Sequence, residues 1–293
     1  MIKTAWIFPG QGSQSIGMGT DFLDLPQARH RLNHADDLLG WSVLEVCQNI
    51  EDMVSRTLYT QPCLYVVESI LVDLMVSRGH YPDLVAGHSL GEYTALYAGG
   101  VFSFESGLQL VKRRAELMDR ASDGMMAALI GCDRHQLEQY LTNTPDVVLA
   151  NDNNDGQVVI SGTPNGVKTV LTGVKSKRAI PLNVSGAFHS PLMADAAEEF
   201  AEVLDAVTFE DSKVPVLSNT EPTPANDATL LKNRLRQQMT GSVRWREISL
   251  RLPEEGIGRV VELGPGKVLT GLIKRTAPSL ILENIGTLAD MPM

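Results

Sequence analysis

The apolar positions of this chain fall into two periods that alternate from one end to the other. Ile2 to Phe8 is a short, mostly apolar run bounded by Pro9-Gly10, which predicts a buried strand. Pro26 to Leu39 reads as a helix. From Gln61 to Arg78, Leu64, Val67, Leu71, Leu74 and Met75 recur at helical spacing, and only Glu68 and Asp73 bring acidic charge into that run. This predicts a mostly buried helix that ends at Gly79. Asp83 to Ala86 then predicts a strand. A helix follows from Ser89 through Ala98, stopped by Gly99-Gly100, and a further one from Phe104 to Ala121.

At Ser122-Asp123-Gly124 the texture changes. The next segments read strand (Met125 to Ile130), helix (Arg134 to Leu141), strand (Val147 to Ala150), strand (Gln157 to Ser161), helix (Asn165 to Val174) and strand (Arg178 to Val184). That order is the β-α-β-β-α-β of a ferredoxin-like unit, set inside the chain as an insertion. It hands back at Ser185-Gly186-Ala187-Phe188-His189-Ser190-Pro191, before an alanine-rich helix from Leu192 to Val207. The last third alternates again: strand Val214 to Leu217, helices Leu230 to Met239 and Arg246 to Leu252, strand Arg259 to Leu263, helix Val268 to Arg275, strand Leu280 to Ile285. The expected fold class is α/β: a hydrolase-like, mostly parallel sheet core covered by helices, with an inserted ferredoxin-like (βαββαβ) subdomain. The expected boundaries are 1–123 and 188–293 for the large core and 124–187 for the small subdomain.

Composition narrows the function. With 293 residues, 43% hydrophobic and 20% charged, the chain suits a folded protein rather than a disordered one. A formal net charge of −10, with no basic stripe to offset it, argues against a nucleic-acid partner. The three cysteines are odd in number and contain no C-x-x-C, so neither a disulfide framework nor a thiolate metal site is expected. The N-terminal apolar run is too short for a secretion signal, and no run approaches a membrane span. A reduced, cytoplasmic protein without a membrane partner is therefore expected.

The chemistry centres on Gly87-His88-Ser89-Leu90-Gly91, a G-x-S-x-G placed where a strand gives way to a helix. On such a turn the serine hydroxyl is exposed and the backbone N–H after it faces the same space as an oxyanion donor. The bare pattern is common by chance, so its setting has to decide. A serine needs a base. His30, His34 and His135 fall on surface helices, His80 at a helix end, and His88 precedes the serine and points away from it. His189 follows a strand and a glycine where the two domains would meet, and is the preferred base. His30 and His34, one turn apart, lack a third metal ligand. Asp133, Asp146, Asp152 and Asp155 lie between serine and histidine, none in a distinctive setting, so a backbone carbonyl is the alternative orienter of the imidazole. Gly264-Pro265-Gly266-Lys267 lacks the remaining residues of a phosphate loop and is explained by helix capping.

Together, Phe8-Pro9-Gly10-Gln11-Gly12-Ser13-Gln14, Gly87 to Glu92, Ala187-Phe188-His189-Ser190 and Glu262 to Lys267 resemble, in order and spacing over the whole chain, the malonyl-CoA:acyl carrier protein transacylases and the acyltransferase domains of polyketide synthases. The resemblance implies Ser89 as nucleophile, His189 as base, and Gln11 and Leu90 as oxyanion donors. It implies Arg114 as the receiver of a malonyl carboxylate, which a bidentate, permanently charged guanidinium suits better than Lys112 would. It further implies that the Gln238 carbonyl orients the histidine, that Asn151 and Asn153 lie near the thioester, and that Phe188 leaves little room for a branched acyl group. The implied partners are malonyl-CoA and acyl carrier protein, met by a monomer that uses no metal or redox cofactor. An acidic carrier calls for a basic patch, expected from Lys175, Lys177, Arg178, Arg244 and Arg246. The other readings are a serine thioesterase or esterase with the same Ser-His site, a subunit of malonate-decarboxylase or polyketide type, and a non-catalytic carrier-binding scaffold.

Overall fold

In the computed structural model, which describes residues 2–121, 123–184 and 186–292, the described strands are β1 (Lys3–Phe8), β2 (Leu84–Gly87), β3 (Met125–Ile130), β4 (Val147–Asn154), β5 (Gln157–Gly162), β6 (Arg178–Pro181), β7 (Val216–Leu217), β8 (Ile257–Leu263) and β9 (Ile281–Ile285). The helices are α1 (Pro26–Leu39), α2 (Val43–Gln48), α3 (Thr57–Ser77), α4 (Gly91–Ala98), α5 (Phe104–Arg120), α6 (Arg134–Asn143), α7 (Pro164–Gly173), α8 (Ala194–Ala206), α9 (Ala228–Gln238), α10 (Trp245–Glu254) and α11 (Val268–Thr276). None of the described helices is long and apolar enough to cross a membrane.

The larger sheet runs β7-β2-β1-β8-β9 with every pair parallel. Alternate residues of its central strands feed two different cores. Trp6, Phe8, Val85, Val261 and Leu263 join the core that holds α3 and α5, whereas Ala5, Ile7, Leu84, Ala86 and Val260 pack against α10 and α11. Burial on both faces is what a parallel sheet requires, and it explains why these strands read as continuous apolar runs. The α3 helix is buried around most of its circumference, as its sequence predicts. It starts at Thr57, ahead of the predicted Gln61, because its first turn is held by polar contacts rather than by apolar periodicity. Thr60 donates to Val54 O, and Leu58 N–H to Asp119 Oδ1. The short α2 has no predicted counterpart.

The smaller sheet, β4-β5-β3-β6, is antiparallel throughout, the order a βαββαβ path produces. One face (Ala127, Leu129, Val158, Ile160) packs on Leu137 of α6 and Val167 and Val170 of α7. The other, with Met126, Ala128 and Val159, closes onto the large core. Two of its strands differ from expectation. The polar run Asn151 to Asn154 has turn composition, yet β4 continues through it, bulged, because Val243 of the large core pairs with it: Asp152 N–H donates to Val243 O (2.9 Å) and Val243 N–H to Ala150 O (2.8 Å). β6 stops at Pro181; Leu182 N–H still donates to Met126 O (2.9 Å) before the chain leaves the sheet, and Leu182 and Val184 line the space beside Ser89. Ser122 and Ser185, at the two predicted junctions, lie outside the described residues.

Candidate active site

Residues Gly87 to Gly91 turn the chain from β2 into α4 within a space that admits no side chains at its two glycines. A Cβ on Gly87 would lie 1.9 Å from the carbonyl carbon of Gly91, and one on Gly91 would lie 2.0 Å from Phe8 O. Between them Ser89 takes φ 52°, a left-handed conformation costly for a residue with a side chain. Because β1 pairs with β2 up to Phe8 and Gly87, the loop after β1 arrives beside the elbow, with His88 N–H donating to Phe8 O. Gln11 and Leu90 are thereby brought to one cavity, and their backbone N–H groups donate to no other group among the described residues. The Gln11 side chain turns aside to Thr57 Oγ1.

His189 also has positive φ (57°), and its ring is buried with Nε2 2.8 Å from Ser89 Oγ. Its Nδ1 faces two carbonyl oxygens, of Gln238 (2.9 Å) and Gly241 (3.1 Å), so the proton sits on Nδ1 and Nε2 presents its lone pair to the serine. Burial, followed by the Arg114 charge, pushes its pKa down to about 3, which keeps the ring neutral. None of the four aspartates weighed in the sequence takes part in this contact. Asp152 is held by Arg134 and Arg246, and Asp146 accepts from Thr163.

Arg114 comes from the inner face of α5 and is 1% exposed. Its Nη2 donates to Ser89 Oγ (3.0 Å) and Gln238 Oε1 (3.1 Å), its Nη1 to Gln61 Oε1 (2.7 Å), and its Tyr93 neighbour lies under the guanidinium. Nε is buried without a hydrogen-bond partner among the described residues. No carboxylate pairs with Arg114 there, and burial holds its pKa below the usual range. The neighbouring cations are spent elsewhere: Lys112 on the carbonyls of Leu38 and Leu39, Arg113 on Glu116 and Glu199.

Phe188, Asn151, Met118, Met126, Leu182 and Val184 complete a cavity of about 90 Å³ around Ser89, His189 and Arg114. Asn151 Oδ1 is buried there without a partner among the described residues, while Asn153, expected near the thioester, lies outside the cavity lining and hydrogen-bonds the His88 ring (2.9 Å), which packs against Trp245. His34 pairs with Glu105, and no metal-holding cluster exists among the described residues. In the expected basic patch, Arg244 is occupied by Glu247 and Arg246 by Asp152 and Asp155, leaving Lys175, Lys177 and Arg178 exposed and unpaired among the described residues. Three polar residues that sequence reasoning missed complete the site. Gln61 lay in a run read as core, Glu92 within the quoted elbow block, and Asn219 in a loop without any motif.

A hydroxyl on a strained strand-to-helix turn, poised against a neutral imidazole and with unused N–H donors beside it, marks an α/β enzyme of acyl transfer through serine. Residues 5–291 match the acyl transferase domain family, and the chain belongs to that family. It is 58% identical over 290 residues to a malonyl CoA-acyl carrier protein transacylase of Synechocystis sp., covering 99% of both chains, and 40% identical to the Bacillus subtilis protein of that name, covering 94% of this chain and 90% of the other. The crystal structure of the Synechocystis malonyl-CoA:ACP transacylase superposes with a TM-score of 0.97 over 99% of each chain.

Proposed function

We propose that this protein transfers the malonyl group of malonyl-CoA to the phosphopantetheine thiol of acyl carrier protein through a malonyl ester on Ser89, supplying malonyl carrier for fatty-acid synthesis. The observation that carries the reading is Arg114: a buried guanidinium, free of any carboxylate among the described residues, 3.0 Å from the Ser89 hydroxyl. Its guanidinium lines the cavity beside Ser89, and its planar fork of N–H donors suits a carboxylate. Ser89 Oγ attacks the thioester carbonyl as His189 Nε2 takes its proton. The oxyanion collects the N–H bonds of Gln11 and Leu90. The C–S bond then breaks, and the imidazolium returns the proton to the departing CoA sulfur. The carrier thiol reverses the sequence: its proton goes to His189, its sulfur takes the malonyl group, and Ser89 Oγ regains a proton. Asn151 lines the cavity where the thioester arm lies, Asn153 acts only through the His88 ring it holds, Phe188 restricts the acyl branch, and the chemistry needs no metal or redox cofactor.

Carbonyl rather than carboxylate support for His189 supplies less stabilisation to an imidazolium, which favours a thiol acceptor over water. The reaction belongs in the cytoplasm, a reading supported by Cys47 and Cys63, which are buried neighbours with free thiols. Single-turnover incubation with malonyl-CoA, followed by intact mass and peptide mapping, is expected to find malonate on Ser89 that persists until carrier is added. Rapid release of free malonate would favour the hydrolase reading, and absence of any adduct the scaffold reading.

A further inference from the structure

The strained Ser89 backbone is held from both sides by side chains that do no chemistry of their own. Its N–H donates to Asn219 Oδ1 at 2.6 Å, and its C=O accepts from Gln238 Nε2 at 2.8 Å. Asn219 also holds the residue at the start of the turn, donating from Nδ2 to Gly87 O at 2.6 Å. Both clamps converge on a single atom, Glu92 Oε2, which accepts from Gln238 Nε2 (2.7 Å) and from Asn219 N–H (3.2 Å). Glu92 is 1% exposed and lies in the first turn of α4, one helical step beyond the serine. The same Gln238 meets Arg114 through Oε1 and His189 through its carbonyl oxygen.

We propose that Glu92 is a positioning residue for the transfer, a buried carboxyl group whose Oε2 fixes the Ser89 turn through Asn219 and Gln238 and faces Arg114 across the Gln238 amide. Two lines of argument lead there. The first is conformational: a left-handed serine persists only where its surroundings over-determine it, and both of its peptide groups are tied to one anchor. The second is electrostatic. A buried guanidinium without a direct counter-ion is costly, and Glu92 is the carboxylate whose field reaches it. Burial dominates and holds the Glu92 carboxyl above the usual carboxylate range; the Gln238 and Asn219 donors and the Arg114 charge offset that only in part. Replacing the Glu92 carboxyl by an amide therefore loosens the nucleophile, whereas Arg114 keeps its own partners Gln61 and Gln238 and its hold on an incoming carboxylate is kept or tightened.

The inference rests on the malonyl-serine reading, and the experiment separates the two. The measurement is the single-turnover rate of Ser89 labelling at graded malonyl-CoA concentrations, which yields a maximal rate and an apparent dissociation constant. For Glu92→Gln the expected fall in maximal rate is about 10- to 100-fold, the loss of one buried hydrogen bond expressed as rate. The dissociation constant is expected to stay equal to that of the native protein or to fall. A distorted site would weaken both. Asn219→Ala removes the N–H clamp while leaving the carboxylate, and the double variant is expected to lose less than the product of the two single losses. Labelling of Glu92→Gln at the native rate, a parallel loss in rate and binding, or strictly multiplicative losses would overturn the proposal. Should Glu92→Gln not fold, Asn219→Ala decides alone, and a native rate in it overturns the proposal. Failure of the native protein to form malonyl-Ser89 would instead sink the reading on which the inference rests.

Discussion

At the scale of single residues, selectivity and basicity meet in Arg114. On the malonyl-transfer reading, the guanidinium supplies the charge that a malonyl carboxylate needs and an acetyl group does not. Arg114→Ala is expected to cut malonyl labelling of Ser89 by about 100- to 1000-fold, within the cost of truncating one partner of a buried charge pair, while sparing or improving acetyl labelling. Competition between malonyl-CoA and acetyl-CoA, read by mass, checks this; equal losses for both acyl groups would remove the carboxylate role. The same charge lies beside His189, whose pKa is lowered to about 3 by burial first and Arg114 second. A base with so low a pKa stays neutral in mild acid, so the acid limb of acetyl labelling is expected well below the ordinary 6.5. In Arg114→Gln the field is gone, the pKa rises, and the limb moves toward neutrality. An unmoved limb would show that burial alone sets it. The folded state refuses a proton that the unfolded chain accepts near 6.5. The stability contributed by the neutral ring is therefore complete above that pH and is lost progressively as pH falls toward 3. Ser89, His189 and Arg114 were legible because each sits in a motif or carries a charge that a core does not ordinarily hold. Gln61 and Asn219 were not, since an amide inside an apolar helix or an unmarked loop gives no sign of its direction until the chain is folded.

At the scale of elements, the site depends on how closely strand ends approach one another. The strands were readable from apolar runs because a doubly covered parallel sheet makes them continuous. The continuation of β4 through Asn151 to Asn154 was not, because a contact with Val243, distant in sequence, overrides turn composition. The Glu262 to Lys267 block shows a different division of labour. Glu262 is fully buried, and its carboxylate caps α11, accepting from Leu269 N–H (3.0 Å) and Thr270 N–H (2.8 Å). A Cβ on Gly264 (φ 148°) would meet Pro9 Cγ at 2.7 Å, so this turn supports the loop that carries Gln11. Close approach is tighter still at Gly91, whose absent Cβ would fall 2.0 Å from Phe8 O. Since the obstacle is backbone, Gly91→Ala forces β1 and α4 apart. The expected loss is about 3 kcal/mol in denaturant unfolding, together with loss of Ser89 labelling. Native stability in this variant would mean that the turn is looser than its contacts indicate.

For the whole molecule, the seam between the two sheets sets both the cavity and its approach. The small sheet closes one face onto the large core, and the β4 contact with Val243 fixes Asn151 and Asn153 beside the elbow. On the proposed reading, an acidic chain of net charge −10 meets a carrier expected to be acidic as well. The ion pairs of Arg244 and Arg246 with Glu247, Asp152 and Asp155 cancel much of what those arginines could offer, so attraction falls to Lys175, Lys177 and Arg178. These three precede or begin β6, the strand whose continuation, Leu182 and Val184, lines the cavity. Reversing two of them, Lys177→Glu with Arg178→Glu, is expected to slow transfer from preformed malonyl-Ser89 to carrier by about 10-fold at low salt. Starting from the acyl-enzyme keeps any effect on CoA binding out of the measurement. Because steering by exposed charges is screened over roughly 8–10 Å at physiological ionic strength, the gap from the native protein should close as salt is raised. A rate indifferent to both the reversal and the salt would move the carrier's approach to another face of the seam.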